Sequence, residues 1–113
     1  MINLIHNSEI PNDSAKGLQY KNISFLAIKK DEEIFLYLNR CPHLGTPLEW
    51  SENDFLDSEK ALIRCATHGA LFQINNGKCL FGPCQGKHLQ SIPFEIENGD
   101  IRVQEQALIS YNF

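Results

Sequence analysis

Two short segments of this chain each hold one cysteine and one histidine and close on a glycine: Cys41-Pro42-His43-Leu44-Gly45 and Cys65-Ala66-Thr67-His68-Gly69. A lone Cys or His is ordinarily core or surface filler. Two matched pairs are a stronger constraint, because a fold that uses them must bring two separate loop tips to one place. The local geometry permits this. Pro42 biases Cys41 toward extended backbone, and in an extended segment residues i and i+2 project to the same side, so Cys41 and His43 can face one centre. Gly45 and Gly69 allow positive φ where the chain turns sharply. The candidate ligands are therefore Cys41, His43, Cys65 and His68.

The rest of the chain reads as short β-prone runs separated by turn residues. Ile23–Ile28 and Ile34–Leu38 flank the charged turn Lys29–Glu33 and predict a hairpin. Ala61–Arg64 is a short strand. Leu71–Ile74 leads into Asn75-Asn76-Gly77 and returns through Lys78–Phe81, and Pro93–Glu97 and Asp100–Val103 flank Asn98-Gly99, both tight-turn signals. Ile2–Ile5 is a further strand, and only Gln104–Tyr111 has a helical character. The expected architecture is all-β, with loops near 41–49, 65–70 and 82–88. Glu49–Lys60 carries five acids against one base; it reads as a solvated surface loop or, alternatively, as a docking rim beside the metal site. Trp50 and Phe55 are expected to be packing residues.

A length of 113 residues predicts one domain, 1–113, with one modest core. The formal net charge of -4 argues against nucleic acid or an anionic membrane as the main partner, since either calls for a basic face. The start, MINLIHNSEIPND, shows no export signal, and no apolar run reaches bilayer-spanning length, so a cytoplasmic location is expected. In a reducing compartment, cysteines accompanied by histidines point to metal rather than to disulfides.

Zinc also takes two Cys and two His, but its usual spacing pairs Cys with Cys and His with His. Each loop here mixes the two, which suits a binuclear iron centre with thiolates on one iron and imidazoles on the other. The pattern C-x-H-x-G followed by C-x-x-H-G resembles the signature of Rieske ferredoxins, particularly those serving oxygenases. The similarity extends to Leu71-Phe72, Gly77 and Gly82-Pro83, the last resembling the proline loop that covers the cluster. The spacer of 21 residues between His43 and Cys65 is somewhat long for compact ferredoxins.

The resemblance implies a Rieske fold: an antiparallel β-sandwich base with an inserted cluster-binding subdomain of two Cys-His loops, spanning roughly 40–85. It implies one [2Fe–2S] cluster, with Cys41 and Cys65 on the inner iron and His43 and His68 on the outer. It implies one-electron transfer from a flavoprotein or other reductase to an oxygenase or similar acceptor, without catalysis by this chain. The alternatives are a non-catalytic Rieske subunit or redox sensor of a larger oxidoreductase complex, and a zinc-stabilised binding module. Two thiolates rather than four leave the oxidised cluster formally neutral, which eases the addition of an electron. High-potential members of the family place Ser directly after the second His-Gly and Tyr two residues beyond, where this chain has Ala70 and Phe72, and they carry an extra loop disulfide for which Leu44-Gly45-Thr46 and Ala66-Thr67 offer no cysteine. A low potential is therefore expected. Cys79 and Cys84 are read as buried small hydrophobes, with a mutual disulfide or a sensing role as alternatives.

Overall fold

The computed structural model describes residues 1–42, 47–48, 53–66, 69–83 and 86–109. The chain runs β1 (Ile2–His6), a 3-10 turn (Asn7–Glu9), β2 (Ser14–Tyr20), β3 (Ile23–Lys30), β4 (Glu33–Leu38), β5 (Leu62–Arg64), β6 (Leu71–Gln73), β7 (Cys79–Phe81), β8 (Glu95–Glu97), β9 (Asp100–Val103) and α1 (Glu105–Ile109). These strands form three antiparallel sheets of three strands each, ordered β1-β9-β8, β2-β3-β4 and β5-β6-β7.

The middle sheet organises the rest because β3 is apolar on both faces. Phe25 and Ala27 enter one buried cluster with Ile34, Leu36, Leu38, Ile101 and Val103. Leu26 and Ile28 enter the other, with Phe55, Ile63, Phe72 and Ile74. A strand alternates its side chains between faces, so a continuous apolar run such as Ile23–Ile28 demands cover on both sides. The β1-β9-β8 sheet covers one face and completes the sandwich base. The β5-β6-β7 sheet, inserted between β4 and β8, covers the other.

The expected hairpins form, with a tighter turn between β3 and β4 and a longer connection between β6 (ending at Gln73) and β7 (starting at Cys79) than their sequences imply. Between β3 and β4 only Asp31 and Glu32 are left in the turn, at φ 52° and 66°. Asn98 and Gly99 turn at φ 53° and 85°, the two-residue geometry whose twist matches the strands. Strand β2 was not foreseen: Ser14–Tyr20 lacks a β-branched run and contains Gly17, yet all seven residues pair with β3. Gly17 N donates to the side chain of Asn53 at 2.8 Å, which ties β2 to the loop that carries Phe55.

Residues 49–52 of the acidic interval, with Trp50, lie outside the described residues; in 53–60, Asn53, Asp54, Ser58, Glu59 and Lys60 are exposed as expected of a surface loop, which is nevertheless tied down by its own contacts. Phe55 is fully buried, its carbonyl accepts from Arg64 N at 2.7 Å, Leu56 bridges Ile63, and the Asp57 carboxylate accepts from the amides of Ala61 and Leu62. The stretch is an arm folded against β5. The carboxylates stay at its surface while Phe55 anchors it.

Candidate metal centre

Cys41 follows the end of β4 through Asn39 and Arg40, and Cys65 follows β5 directly. Both thiols are buried, at 2% and 0% exposure, and both belong to the apolar cluster under the inserted sheet. Neither is in a disulfide. His43 and His68 lie outside the described residues, as do Leu44, Gly45, Thr46 and Thr67. The structure thus brings the two predicted thiol ligands into one core from separate loops.

Backbone hydrogen bonds tie those loops together. In the second, Cys65 N donates to Ala70 O and Gly69 N to Cys65 O, both at 2.8 Å. That closure needs Gly69 at φ +68°, with open space around its Cα, so the glycine is required for conformation rather than for room. Ala66 N donates to Leu48 O at 2.8 Å and joins the second loop to the first. Leu48 N in turn donates to the side chain of Asn39 at 2.8 Å, and Asn39 is fixed to β3 through Ser24, whose carbonyl accepts from Asn39 N at 2.9 Å and whose hydroxyl lies 3.2 Å from Nδ2. Buried Asn39 therefore anchors the first loop to the central strand. It escaped the sequence reading because an Asn between a strand and a loop looks like any turn residue.

Gly82-Pro83 reaches the same place. At φ +106° Gly82 lies so close to the second loop that a Cβ would stand 2.9 Å from Ala70 Cα. This contact sets the Gly-Pro turn beside Ala70, and Lys87 Nζ makes a long contact, 3.5 Å, with Pro42 O of the first loop. Around the thiols, Ala70 and Phe72 are buried at 1% and 0% exposure and offer no hydroxyl.

Cys79 is buried on β7 opposite Phe72, with its Sγ 3.4 Å from Phe81 O. Its thiol is free, so the disulfide alternative does not hold; Cys84 lies outside the described residues. Nor does Cys79 become a third donor beside Cys41 and Cys65: among the described residues no three His, Cys, Asp or Glu side chains converge on a metal-sized site.

A family model for the Rieske [2Fe-2S] domain matches residues 1–105. The chain belongs to this family. A Rieske domain binds one [2Fe–2S] cluster and works by one-electron transfer, and two buried thiols on tied loops in an apolar setting fit that group. Among solved structures, this Rieske domain is similar to the Sphingomonas yanoikuyae B1 ferredoxin, at 22% identity and a TM-score of 0.72, covering 91% of this chain and 96% of that one. It is also similar to the ferredoxin of carbazole 1,9a-dioxygenase from Nocardioides aromaticivorans IC177, at 13% identity and a TM-score of 0.70, covering 88% and 92%. At such identities the likeness speaks for the fold. A curated relative, apoptosis-inducing factor 3 of Mus musculus, is 27% identical over 104 residues, which are 91% of this chain but 16% of that protein. The chain thus spans about a sixth of the length of this curated relative. Among the described residues no helix is long and apolar enough to cross a membrane.

Proposed function

We propose that this Rieske domain is an electron carrier that accepts one electron from a flavoprotein or other reductase and delivers it to an oxygenase. Cys41 and Cys65 would hold the inner iron of the cluster, and His43 and His68 the outer one. The observation that carries this reading is the pair of buried thiols, Cys41 and Cys65, on loops joined through Ala66 and Leu48. When bound, the cluster supplies reversible one-electron chemistry. The chain's own residues hold it, exclude water from its thiolate side with Ala70 and Phe72, and fix the loop spacing through Asn39, Gly69 and Gly82. Nothing in this set would activate a substrate, so oxygenation belongs to the acceptor.

Support for an oxygenase as acceptor comes from solved structures of similar fold, which include a complex of reduced oxygenase and oxidised ferredoxin in carbazole 1,9a-dioxygenase, at 16% identity and a TM-score of 0.70. The test is anaerobic mixing of the chemically reduced, cluster-loaded protein with the oxidised terminal component of a Rieske oxygenase. The expected result is reoxidation of the cluster at the expense of the oxygenase centre. A cluster that stays reduced beside the oxygenase, yet reoxidises in air, overturns the oxygenase assignment.

A second reading, a Rieske module or redox sensor within a larger oxidoreductase, is favoured by the curated relative of which this chain matches only 16%. Native mass in cell extract separates the two. A carrier elutes near 13 kDa, whereas a subunit elutes in a stable larger complex. Both readings place the protein in the cytoplasm as a single domain over 1–113.

A further inference from the structure

The chain contains two Asn-Gly steps, Asn76-Gly77 and Asn98-Gly99, each in a connection between strands. Such a step carries a reaction of its own. The Gly nitrogen, with no Cβ beside it, can attack the carbonyl carbon of the preceding Asn side chain and close a succinimide ring, an attack favoured by its being intramolecular. The reaction needs an Asn amide that is free to turn and a Gly nitrogen that is free to lose its proton. The fold treats the two steps differently in both respects.

At Asn76-Gly77 both reacting groups are engaged. Asn76 Oδ1 accepts from Lys78 N at 2.9 Å, and Gly77 N donates to Gln73 O at 2.8 Å. Gly77 is also buried, so tightly that a Cβ would stand 3.0 Å from Tyr37 Cε1 and 3.2 Å from Leu89 Cβ. At Asn98-Gly99 the hydrogen bonds fall on the carbonyls instead. Asn98 O lies 3.2 Å from His6 Nε2; a carbonyl only accepts, so that ring nitrogen carries the proton, and Nδ1 accepts from Ser8 N at 3.2 Å. Gly99 O accepts from Asn7 N at 2.6 Å. Asn98 is exposed at the tip of the β8-β9 turn. Among the described residues neither its side-chain amide nor Gly99 N takes part in a hydrogen bond. The hydrogen bond to Asn98 O also draws electron density from the peptide that contains Gly99 N, which eases loss of its proton.

We propose that Asn98 is a site of spontaneous covalent modification, at which deamidation and isomerisation release the β8-β9 turn from His6. Gly99 N gives up its proton and bonds to Asn98 Cγ; the Cγ–Nδ2 bond breaks and the amide nitrogen leaves as ammonia. Water then opens the ring at one of its two carbonyls. One opening gives aspartate at residue 98, the other an isoaspartyl linkage. Each consumes one water, and nothing is oxidised or reduced.

Both products disturb the same contacts. Aspartate adds a carboxylate to a turn that Glu97 and Asp100 already flank as a directly opposed pair, and like charges so placed repel. The isoaspartyl linkage turns the carbonyl that meets His6 into a free carboxylate and adds a carbon to the main chain ahead of Gly99, which displaces Gly99 O from Asn7 N. What loosens is the junction of β1, the 3-10 turn and the β8-β9 hairpin. That junction is remote from the anchor of the first Cys-His loop. Lys29 Nζ meets Asn7 O at 2.9 Å, and Lys29 lies roughly 16 Å along β3 from Ser24, by the ordinary rise of a strand. The proposal is therefore independent of what the candidate metal centre does.

The test is incubation of the full-length, cluster-loaded protein in warm, mildly alkaline buffer, followed by peptide mapping by mass spectrometry, with the urea-unfolded chain as reference. In the folded protein Asn98 should convert about tenfold faster than Asn76, because Gly77 N is released only by local opening; in urea the two rates should converge. Isoaspartyl methyltransferase should label the aged, folded protein at residue 98. The converted form, separated by charge, should show lower amide protection at Asn7 and Ser8 than the unconverted form. Equal rates at Asn76 and Asn98 in the folded protein overturn the proposal, as does an Asn98 that converts only in urea. Unchanged protection at Asn7 and Ser8 in the converted form overturns the release of His6.

Discussion

With the cluster held as proposed, Ala70 and Phe72 would be the residues through which this chain sets its potential. Both are buried in the apolar cluster that contains Cys41 and Cys65, and neither side chain can donate a hydrogen bond to sulfur, so no hydroxyl at these positions would stabilise the added electron. The potential is expected near the low end of the Rieske range, about -150 mV. Ala70→Ser or Phe72→Tyr should raise it by tens of millivolts, since about 59 mV corresponds to a tenfold change for one electron; voltammetry of the three proteins reads this directly. Tyr37 matters for stability rather than for chemistry. Its hydroxyl donates to the carbonyl of Ile74 inside the core, and burial pushes its pKa up to about 12. A raised folded-state pKa means that the contribution is complete below the ordinary value of 10.0 and is lost as pH climbs through about 12. Tyr37→Phe should cost about 1–2 kcal/mol at neutral pH by stripping the Ile74 carbonyl of its donor, and should remove the loss between pH 10 and 12; denaturant titrations at both pH values check it. At this scale the sequence was most legible for the two paired thiols, because spacing alone singles out Cys41 and Cys65, which the fold buries in one cluster. It was least legible for Asn39, whose role exists only through distant Ser24 and Leu48.

Elements declared themselves where a turn forced them. Asn98-Gly99 and Asn75-Asn76-Gly77 name their hairpins because few other residues tolerate the backbone they require. Strand β2 could not be read, since its register comes from β3, outside its own sequence. The arm from Phe55 to Arg64 was hidden by its surface carboxylates. The Gly82 turn holds the Gly-Pro segment on the second loop, and Gly82→Ala adds a Cβ 2.9 Å from Ala70 Cα at a φ that side chains avoid. It should destabilise the domain by about 2–4 kcal/mol, with a lower Tm and a smaller fraction of protein retaining the cluster absorbance. At the opposite end, α1 is pinned by Glu105, which accepts from the Tyr20 hydroxyl at 2.5 Å and pairs with Lys21 at 3.3 Å. The Tyr20 hydrogen bond, followed by Lys21, holds the Glu105 carboxyl below its usual pKa. A depressed pKa gives a contribution present above the ordinary 4.5 and lost as pH falls through the folded value. Protection of the α1 amides, taken relative to the intrinsic exchange rate at each pH, should therefore be lower at pH 3 than at pH 7 in the wild type, and Glu105→Gln should be weakly protected at both.

At the scale of the whole molecule, two sheets pack on opposite faces of a third whose central strand is apolar on both sides, and each sheet has a separate task. The β1-β9-β8 sheet closes the base, β2-β3-β4 provides the two-sided floor, and β5-β6-β7 carries the second loop and the Gly-Pro turn. Charge follows the same division, with Lys60–Phe94 free of carboxylates and the acids gathered elsewhere. With ligands as proposed, the division would also couple cofactor binding to folding: loops separated by 21 residues would have to meet before either iron had its ligands. The most direct test of the central claim, a cluster shared between Cys41, His43, Cys65 and His68, is pulsed EPR of the reduced protein, reading nitrogen couplings to the unpaired spin. Two strongly coupled imidazole nitrogens are expected, with one disappearing in His43→Cys and the other in His68→Cys. A reduced centre without nitrogen coupling, or couplings that survive in both variants, would contradict it.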